Sequence, residues 1–367
     1  MSSEARKTVL MIIGTSSLDM RVIQETESLV KAGFRVFVLG PDFPVCDGFT
    51  LPDGVRMVRL RRGGNVFDKL RSRLRLIVLP LKIGAAVVHV RGSAWLLPGA
   101  LITRLFLRAR IVFEPVPGSR LINHLTCLAM KLADRVIVPC VETLEGLDFQ
   151  GVSGGKIELI GDFPELFRAF TREGLFTQFG FDRRRHKVMI FPQWVKGFDT
   201  QTALETARLS HNNAQLRFVF FSHLKDQAMI RELVRNRRLG NTVSCTLPEE
   251  DAHALNLFKD ASAILLPVTG TEDPGVTRRA VLSAAMAGVP VITGSKCTAS
   301  GLIIERGIGR VHQNLDALEL AKAMLSLIYD HHVYPQVKKK CVQTAQEFNW
   351  SNEERNLCEL YRRLVEH

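Results

Sequence analysis

Short runs of Val, Ile, Leu and Phe recur along this chain, and a stretch of helical spacing separates most of them. VLMIIG, RVFVLG, VRMVRL, AAVVHV, ARIVFE, DRVIVP and KIELIG follow one another in the first half. Between them lie an apolar-periodic segment from Arg21 to Ala32 stopped by Gly33, then LLPGALITRLFL, then LINHLTCLAMKLA. Period-two and buried-strand runs alternating with period-3.6 runs are the pattern of repeated strand, helix, strand units. Such units predict α/β structure with parallel, doubly wound sheets.

The alternation lapses from Pro164 to Lys187 in a stretch rich in Phe and Arg, and then begins again. The second series is KVMIFP, TQTALETARL, LRFVFF, a helix ending at Gly240, TVSCTL, a helix near AHALNLF, SAILLPV, a long helix and VPVITG. A chain of 367 residues is too long for one ordinary domain. The expected organisation is therefore two Rossmann-like domains, 1–168 and 169–349, facing each other across a cleft.

Composition removes several alternatives. The seven cysteines form no CxxC pair and have no clustered histidines beside them, so reduced thiols are expected and a metal site is not. The opening MSSEARKTVLMIIGTSS reads as a first strand rather than a signal peptide. LIVLPLKIGAAVVHV, the most apolar window, is interrupted by Pro80, Lys82 and His89, short of the roughly 18 residues that a spanning helix needs. The net charge of +12 favours anionic partners. Much of it lies at Arg56, Arg59, Arg61, Arg62, Lys69, Arg71, Arg73, Arg75 and Lys82, with Leu70, Leu74, Ile77 and Val78 at roughly helical spacing. An anionic membrane surface suits the segment 56–82; a solvated basic helix with an ordinary core face gives the same pattern. Nucleic acid is not expected, because no recognisable module accompanies the charge.

In open α/β sheets ligands bind beyond the carboxyl ends of the strands, which directs attention to the loops there. The first, GTSSLDMR, lacks GxGxxG, although its small residues Gly14, Thr15 and Ser16 allow close approach to a helix N-terminus. His89 and Arg91 in VVHVRG and Glu114 in VFEPVPGS also end strands. In the second half, Asp273 can cap a helix that begins at Pro274 and stops at Gly288. The N–H groups of Gly275, Val276 and Thr277 then suit a diphosphate; a capped core helix would carry the same residues. Lys196, in QWVKGFDTQTALETARL, stands after a strand and just before a helix, where its ammonium can meet a phosphate or simply be solvated.

Taken in order, these stretches resemble the family 4 retaining glycosyltransferases of the GT-B fold. DMRVIQETESLVKAGFRVFVL is similar to that family's D-x-R, helix and G-H-x-V, with Asp19, Arg21, Glu25 and Gly33 on matching positions. LADRVIVPCVETLEGL, KGFD, LPEEDAHALNLFKDASAILLPV, AMAGVPVI and FNWSNEERNLCELYRRL follow in family order. The resemblance implies a retaining, metal-independent transferase that takes a nucleotide-sugar as co-substrate and needs no other cofactor. It places Lys196 on the donor diphosphate, the 275–277 turn under its phosphates, and Ser222, His223, Thr246 and Leu247 around the base. It also implies that 350–367 packs back on the first domain. With it go His89 and Glu114 as the catalytic pair and Gly14, Thr15, Ser16, Asp19, Arg21 and Arg91 on the side of a glycan or lipid-linked acceptor. A place in cell-envelope polysaccharide assembly, in the cytoplasm or peripheral on the inner face of its membrane, is the corresponding expectation. Two departures accompany it: IFPQWV lacks the arginine usual before the lysine, and the paired glutamates fall on Gly275 and Ser283. A non-catalytic scaffold of the same fold is the alternative they raise.

Overall fold

The computed structural model describes residues 7–14, 20–41, 51–60, 66–92, 94–115, 123–140, 151–164, 174–246, 257–313 and 316–366. The chain separates into two compact units, the first made of Met1–Asp162 and Trp350–His367, the second of Phe163–Asn349.

The first unit holds a seven-stranded sheet in the order β3-β2-β1-β4-β5-β6-β7. Its strands are β1 (Thr8–Ile13), β2 (Arg35–Pro41), β3 (Arg56–Leu60), β4 (Val87–Gly92), β5 (Arg110–Pro115), β6 (Arg135–Val138) and β7 (Ile157–Leu159), and every neighbouring pair is parallel. The helices are α1 (Met20–Lys31), α2 (Val66–Ile83), α3 (Leu97–Leu107) and α4 (Asn123–Leu132). Side chains alternate between two cores as the pleat requires. Val9, Met11 and Ile13 of β1 join Val22 and Leu29 of α1, whereas Leu10 and Ile12 join Leu97, Ala100 and Met130 of α3 and α4. Right-handed crossovers explain the division, because the chain winds one way from β1 to β3 and the other way from β4 to β7. Onto the α1 side packs the last helix of the chain (Trp350–Glu366), through Trp350, Leu357, Leu360 and Tyr361.

The second unit repeats the plan. Its six-stranded sheet runs β10-β9-β8-β11-β12-β13, built from β8 (Lys187–Pro192), β9 (Leu216–Phe221), β10 (Val243–Thr246), β11 (Ala263–Leu266), β12 (Val291–Gly294) and β13 (Gly309–His312). Continuing the helix numbering, α5 (Leu175–Phe179), α6 (Thr200–Leu209), α7 (Leu224–Asn236), α8 (Pro274–Met286), α9 (Ser300–Arg306), α10 (Ala317–Ile328) and α11 (Val333–Glu347) complete the unit, and Trp350–Glu366 of the first unit is α12. One core of Phe191, Phe218, Phe220, Leu265 and Ile292, among others, fills the sheet's faces.

The doubly wound α/β reading therefore stands. It omits β13, whose GRVH has one β-branched residue and two polar ones and pairs in parallel with Val291–Gly294. It also runs α7 on to Gly240; the helix ends at Asn236, and Arg238 takes a left-handed φ of 57° two residues later. The expected helix near AHALNLF lies mostly in 251–256, outside the described residues. Among the described residues no helix is long and apolar enough to cross a membrane.

Candidate functional site

Each sheet reverses its winding at one point, between β8 and β11 in the second unit and between β1 and β4 in the first. At such a point two adjacent strands send their loops in opposite directions and leave a crevice at their carboxyl ends.

In the second unit the two loops are tied together. Asp199 N–H donates to the Pro267 carbonyl (2.8 Å) and Thr269 N–H to that of Gly197 (3.0 Å). Gly197 is left-handed, with φ +79°, and a Cβ there would lie 2.7 Å from Thr271 Oγ1 and 3.3 Å from the Glu272 nitrogen. The glycine of KGFD is thus what allows exposed Lys196 to stand beside the 269–273 loop. Asp199 then caps α6 by accepting from Gln201 and Thr202 N–H.

Asp273 caps α8 in the same manner. Its Oδ1 accepts from Gly275 N–H (2.9 Å) and Val276 N–H (3.2 Å), and its carbonyl from Thr277 N–H (3.0 Å). Asp273 thus engages all three of these N–H groups, two through its carboxylate and that of Thr277 through its backbone carbonyl. What the helix start presents beyond this cap is side chains and the positive end of the dipole. Ser283 lies well inside α8 and is buried.

Around this crevice five buried polar atoms have no hydrogen-bond partner among the described residues: Gln193 Oε1 after β8, Ser222 Oγ after β9, Glu272 Oε2 and Thr277 Oγ1 after β11, and Thr298 Oγ1 after β12. The other oxygen of Glu272 accepts from Thr298 N–H at 2.8 Å, which fixes the carboxylate. Each orphaned group costs about 1–3 kcal/mol if nothing meets it. Five at the ends of four adjacent strands, beside an exposed lysine, mark where a polar ligand would be held. Of these, Ser222, Thr277 and Lys196 are the residues the sequence points to; Gln193, Glu272 and Thr298 are not. Thr246 ends β10, and its hydroxyl accepts from Gln178 Nε2 at 3.0 Å. His223 is exposed at the N-cap of α7, without a side-chain cap bond. Leu247 lies outside the described residues.

In the first unit Gly14 N–H donates to the Arg91 carbonyl at 2.9 Å. Gly92 beside it takes a φ of +111°, a backbone conformation that favours glycine. Thr15, Ser16 and Asp19 lie outside the described residues. Beneath this point a charged network fills the interior. Arg21 Nε stands 3.0 Å from Glu25 and 2.8 Å from Glu114, and its Nη2 donates to the Ile160 carbonyl at 3.1 Å. His89 Nε2 lies 3.5 Å from Glu114, Arg91 lies 3.8 Å from it, and the other His89 nitrogen meets Tyr361 Oη at 2.7 Å.

His89 and Glu114 are 0% and 3% exposed, with their polar atoms turned toward Tyr361, Arg21 and Arg91. Through these contacts the two side chains tie α1, β4, β5 and α12 together in the interior. Burial and repulsion from Glu114 push Glu25 up to about 7. Burial also opposes ionisation of Glu114, but Arg21, Arg91 and the His89 hydrogen bond outweigh it and hold Glu114 well below the usual carboxylate range. Ligand atoms of Glu25, His89 and Glu114 lie within 4.8 Å of one another, a spacing that a metal ion could use. The Arg21 guanidinium already stands between the carboxylates, so the cation of this cluster belongs to the protein.

No family model and no curated protein matches the chain. Solved structures do match over nearly its full length. A sucrose-phosphate synthase from Thermosynechococcus elongatus gives a TM-score of 0.74 at 18% identity, covering 97% of this chain and 99% of the other. A glycosyltransferase from Rickettsia africae gives 0.75 at 13%, covering 98% of each. HepE from Anabaena, in complex with UDP, gives 0.74 at 12%, covering 96% and 99%, and a further structure of it contains UDP-glucose. At such identities the likeness concerns the fold: two α/β units, each with a parallel sheet, as in GT-B glycosyltransferases.

Proposed function

We propose that this chain is a glycosyltransferase that takes its sugar from a nucleotide-sugar held by the second unit. The observation that carries the reading is the ring of buried, unpartnered oxygens from Gln193, Ser222, Glu272, Thr277 and Thr298 beside exposed Lys196. Those oxygens suit the hydroxyls and base edges of a nucleotide-sugar, and an ammonium suits its diphosphate. That similar folds occur in complex with UDP and UDP-glucose supports the same ligand class.

In this reading Lys196 neutralises charge as the anomeric carbon–oxygen bond breaks and the diphosphate leaves with the bonding pair. The acceptor oxygen forms the new bond to that carbon, and its proton passes to the departing phosphate. Glu272 takes the part of the glutamates missing at Gly275 and Ser283, by accepting a donor hydroxyl on Oε2. The resemblance adds a retaining, metal-independent course and a glycan or lipid-linked acceptor met by the first unit's Gly14 and Arg91, in polysaccharide or glycoconjugate synthesis at a cytoplasmic membrane face. His89 and Glu114 have no proton-transfer role here.

Calorimetric titration of the chain with nucleoside diphosphates and their sugars tests the reading. One of them should bind, and Lys196→Ala should weaken it by about tenfold or more, the worth of a charge-assisted contact. Failure of every nucleotide to bind would leave a GT-B scaffold without a donor site.

A further inference from the structure

Three consecutive helices of the first unit, α2, α3 and α4, cover the sheet face opposite α1 and α12. They form one layer. Gly99 of α3 lies directly against the Leu76 carbonyl of α2, where a Cβ would collide with it. At the far end Arg104 of α3 donates to the Leu132 carbonyl at the close of α4 (2.9 Å) and pairs with Asp134 (3.3 Å).

The outward side of this layer is unlike the rest of the surface. Of fifteen large apolar side chains left exposed among the described residues, seven stand on these three helices, led by Leu105 (77%), Phe106 (69%), Leu128 and Val78 (52% each) and Leu74 (51%). Lys82, Arg104, Arg108 and Lys131 are exposed at the carboxyl ends of the same helices. The charge is as one-sided as the hydropathy. Residues 56–132 contain fifteen Lys and Arg against two acids, Asp68 and Glu114, a surplus larger than the whole chain's +12. Of those two, Glu114 is buried on the other core's network, and Asp134 at the layer's edge is already paired with Arg104 and Arg110.

Outward leucines and a phenylalanine set in a surplus of cations fit one kind of partner, a surface that offers anionic headgroups above an apolar interior. Nucleic acid would meet the charge and leave the apolar tips wet. A second copy would bring the same positive surplus against itself. We propose that the α2–α4 layer docks on an anionic lipid bilayer, with Leu105 and Phe106 inserted and Lys82, Arg108 and Lys131 at the headgroups. This broadens the basic segment 56–82 into a surface drawn from three helices. It does not depend on the donor site of the second unit.

Flotation of the full chain with vesicles tests it. Vesicles of phosphatidylcholine with phosphatidylglycerol should carry the protein at low salt and release most of it at high salt, and phosphatidylcholine alone should carry little. Leu105→Ser with Phe106→Ser should reduce partitioning about tenfold, and Lys82→Gln with Arg108→Asn should act similarly and remove the salt response. All four residues are exposed, and unchanged thermal unfolding establishes that the variants fold. Lys196→Ala should float as the wild type does, so failure of the donor reading leaves this result intact. Equal flotation of wild type and the Leu105/Phe106 variant, or no flotation on anionic vesicles, overturns the proposal. So does a wild-type dimer that the same variant converts to monomer without any lipid binding.

Discussion

Substituting Glu25 by Gln should stabilise this protein at neutral pH and do nothing at pH 4.5. Glu25 and Glu114 share one guanidinium, with Arg21 Nε 3.0 Å from the first and 2.8 Å from the second. Both carboxylates are buried, and only Glu114 has Arg91 and His89 as further support. Glu25 therefore keeps its proton in the folded chain up to about 7, against 4.5 in the unfolded one. Between those values the unfolded state binds fewer protons, so stability falls as pH rises, and the loss is complete above the folded value. A shift of this size is worth about 3 kcal/mol. Glu114 acts in the opposite sense: its contribution is present above the unfolded pKa and is lost only as pH falls below it, outside this window. Gln keeps the oxygen that faces Arg21 and has no proton to lose. Urea unfolding of both proteins from pH 4.5 to 8, expressed as the difference between them, cancels every titration they share. The difference should grow from near zero to about 3 kcal/mol in favour of Glu25→Gln. Parallel profiles would refute the assignment of the raised group.

Glu272→Gln keeps an acceptor for Thr298 N–H but replaces one carboxylate oxygen by a donor; nucleotide-sugar binding should weaken about tenfold by titration calorimetry, with the thermal midpoint held. Gly197→Ala forces a left-handed φ of 79° on a residue whose Cβ would crowd Thr271. It should cost about 1–2 kcal/mol in denaturant unfolding and weaken nucleotide binding with it. Tyr361→Phe removes the 2.7 Å contact with His89 and leaves a buried ring nitrogen unmet. A loss of about 1–3 kcal/mol should appear in the same unfolding experiment.

The strands were legible where burial on both faces writes a run of apolar residues, as in VLMIIG or LRFVFF. GRVH was not legible, because an edge strand such as β13 can pair by backbone alone. Lys196 and the Asp273 cap were visible because each is a local feature beside a helix start. At the cap, spacing shows that Asp273 can accept from Gly275 and Val276, but not whether those donors remain for a ligand. Gln193 and Thr298 carry no motif, and their significance comes from being buried without partners beside residues far away in sequence. Glu114 stands at the end of β5 as expected, whereas His89 lies in the middle of β4 (Val87–Gly92). Whether such residues face solvent or Arg21 depends on α1 and α12, which no local pattern contains.

The last helix gives this chain an order of assembly. The second unit is continuous from Phe163 to Asn349, whereas the first is completed only by Trp350–His367. Trp350 donates to Ser28 across 3.0 Å, and Tyr361 meets His89 across 2.7 Å, each bridging more than two thirds of the sequence. During synthesis the first 162 residues therefore leave the ribosome with one face of their sheet covered only in part, by α1. They must wait for the whole second unit to be made before Leu357, Leu360 and Tyr361 arrive to cover it. The half of the protein made first is the half that finishes last, and loss of even the final turns of the chain would be felt at its beginning.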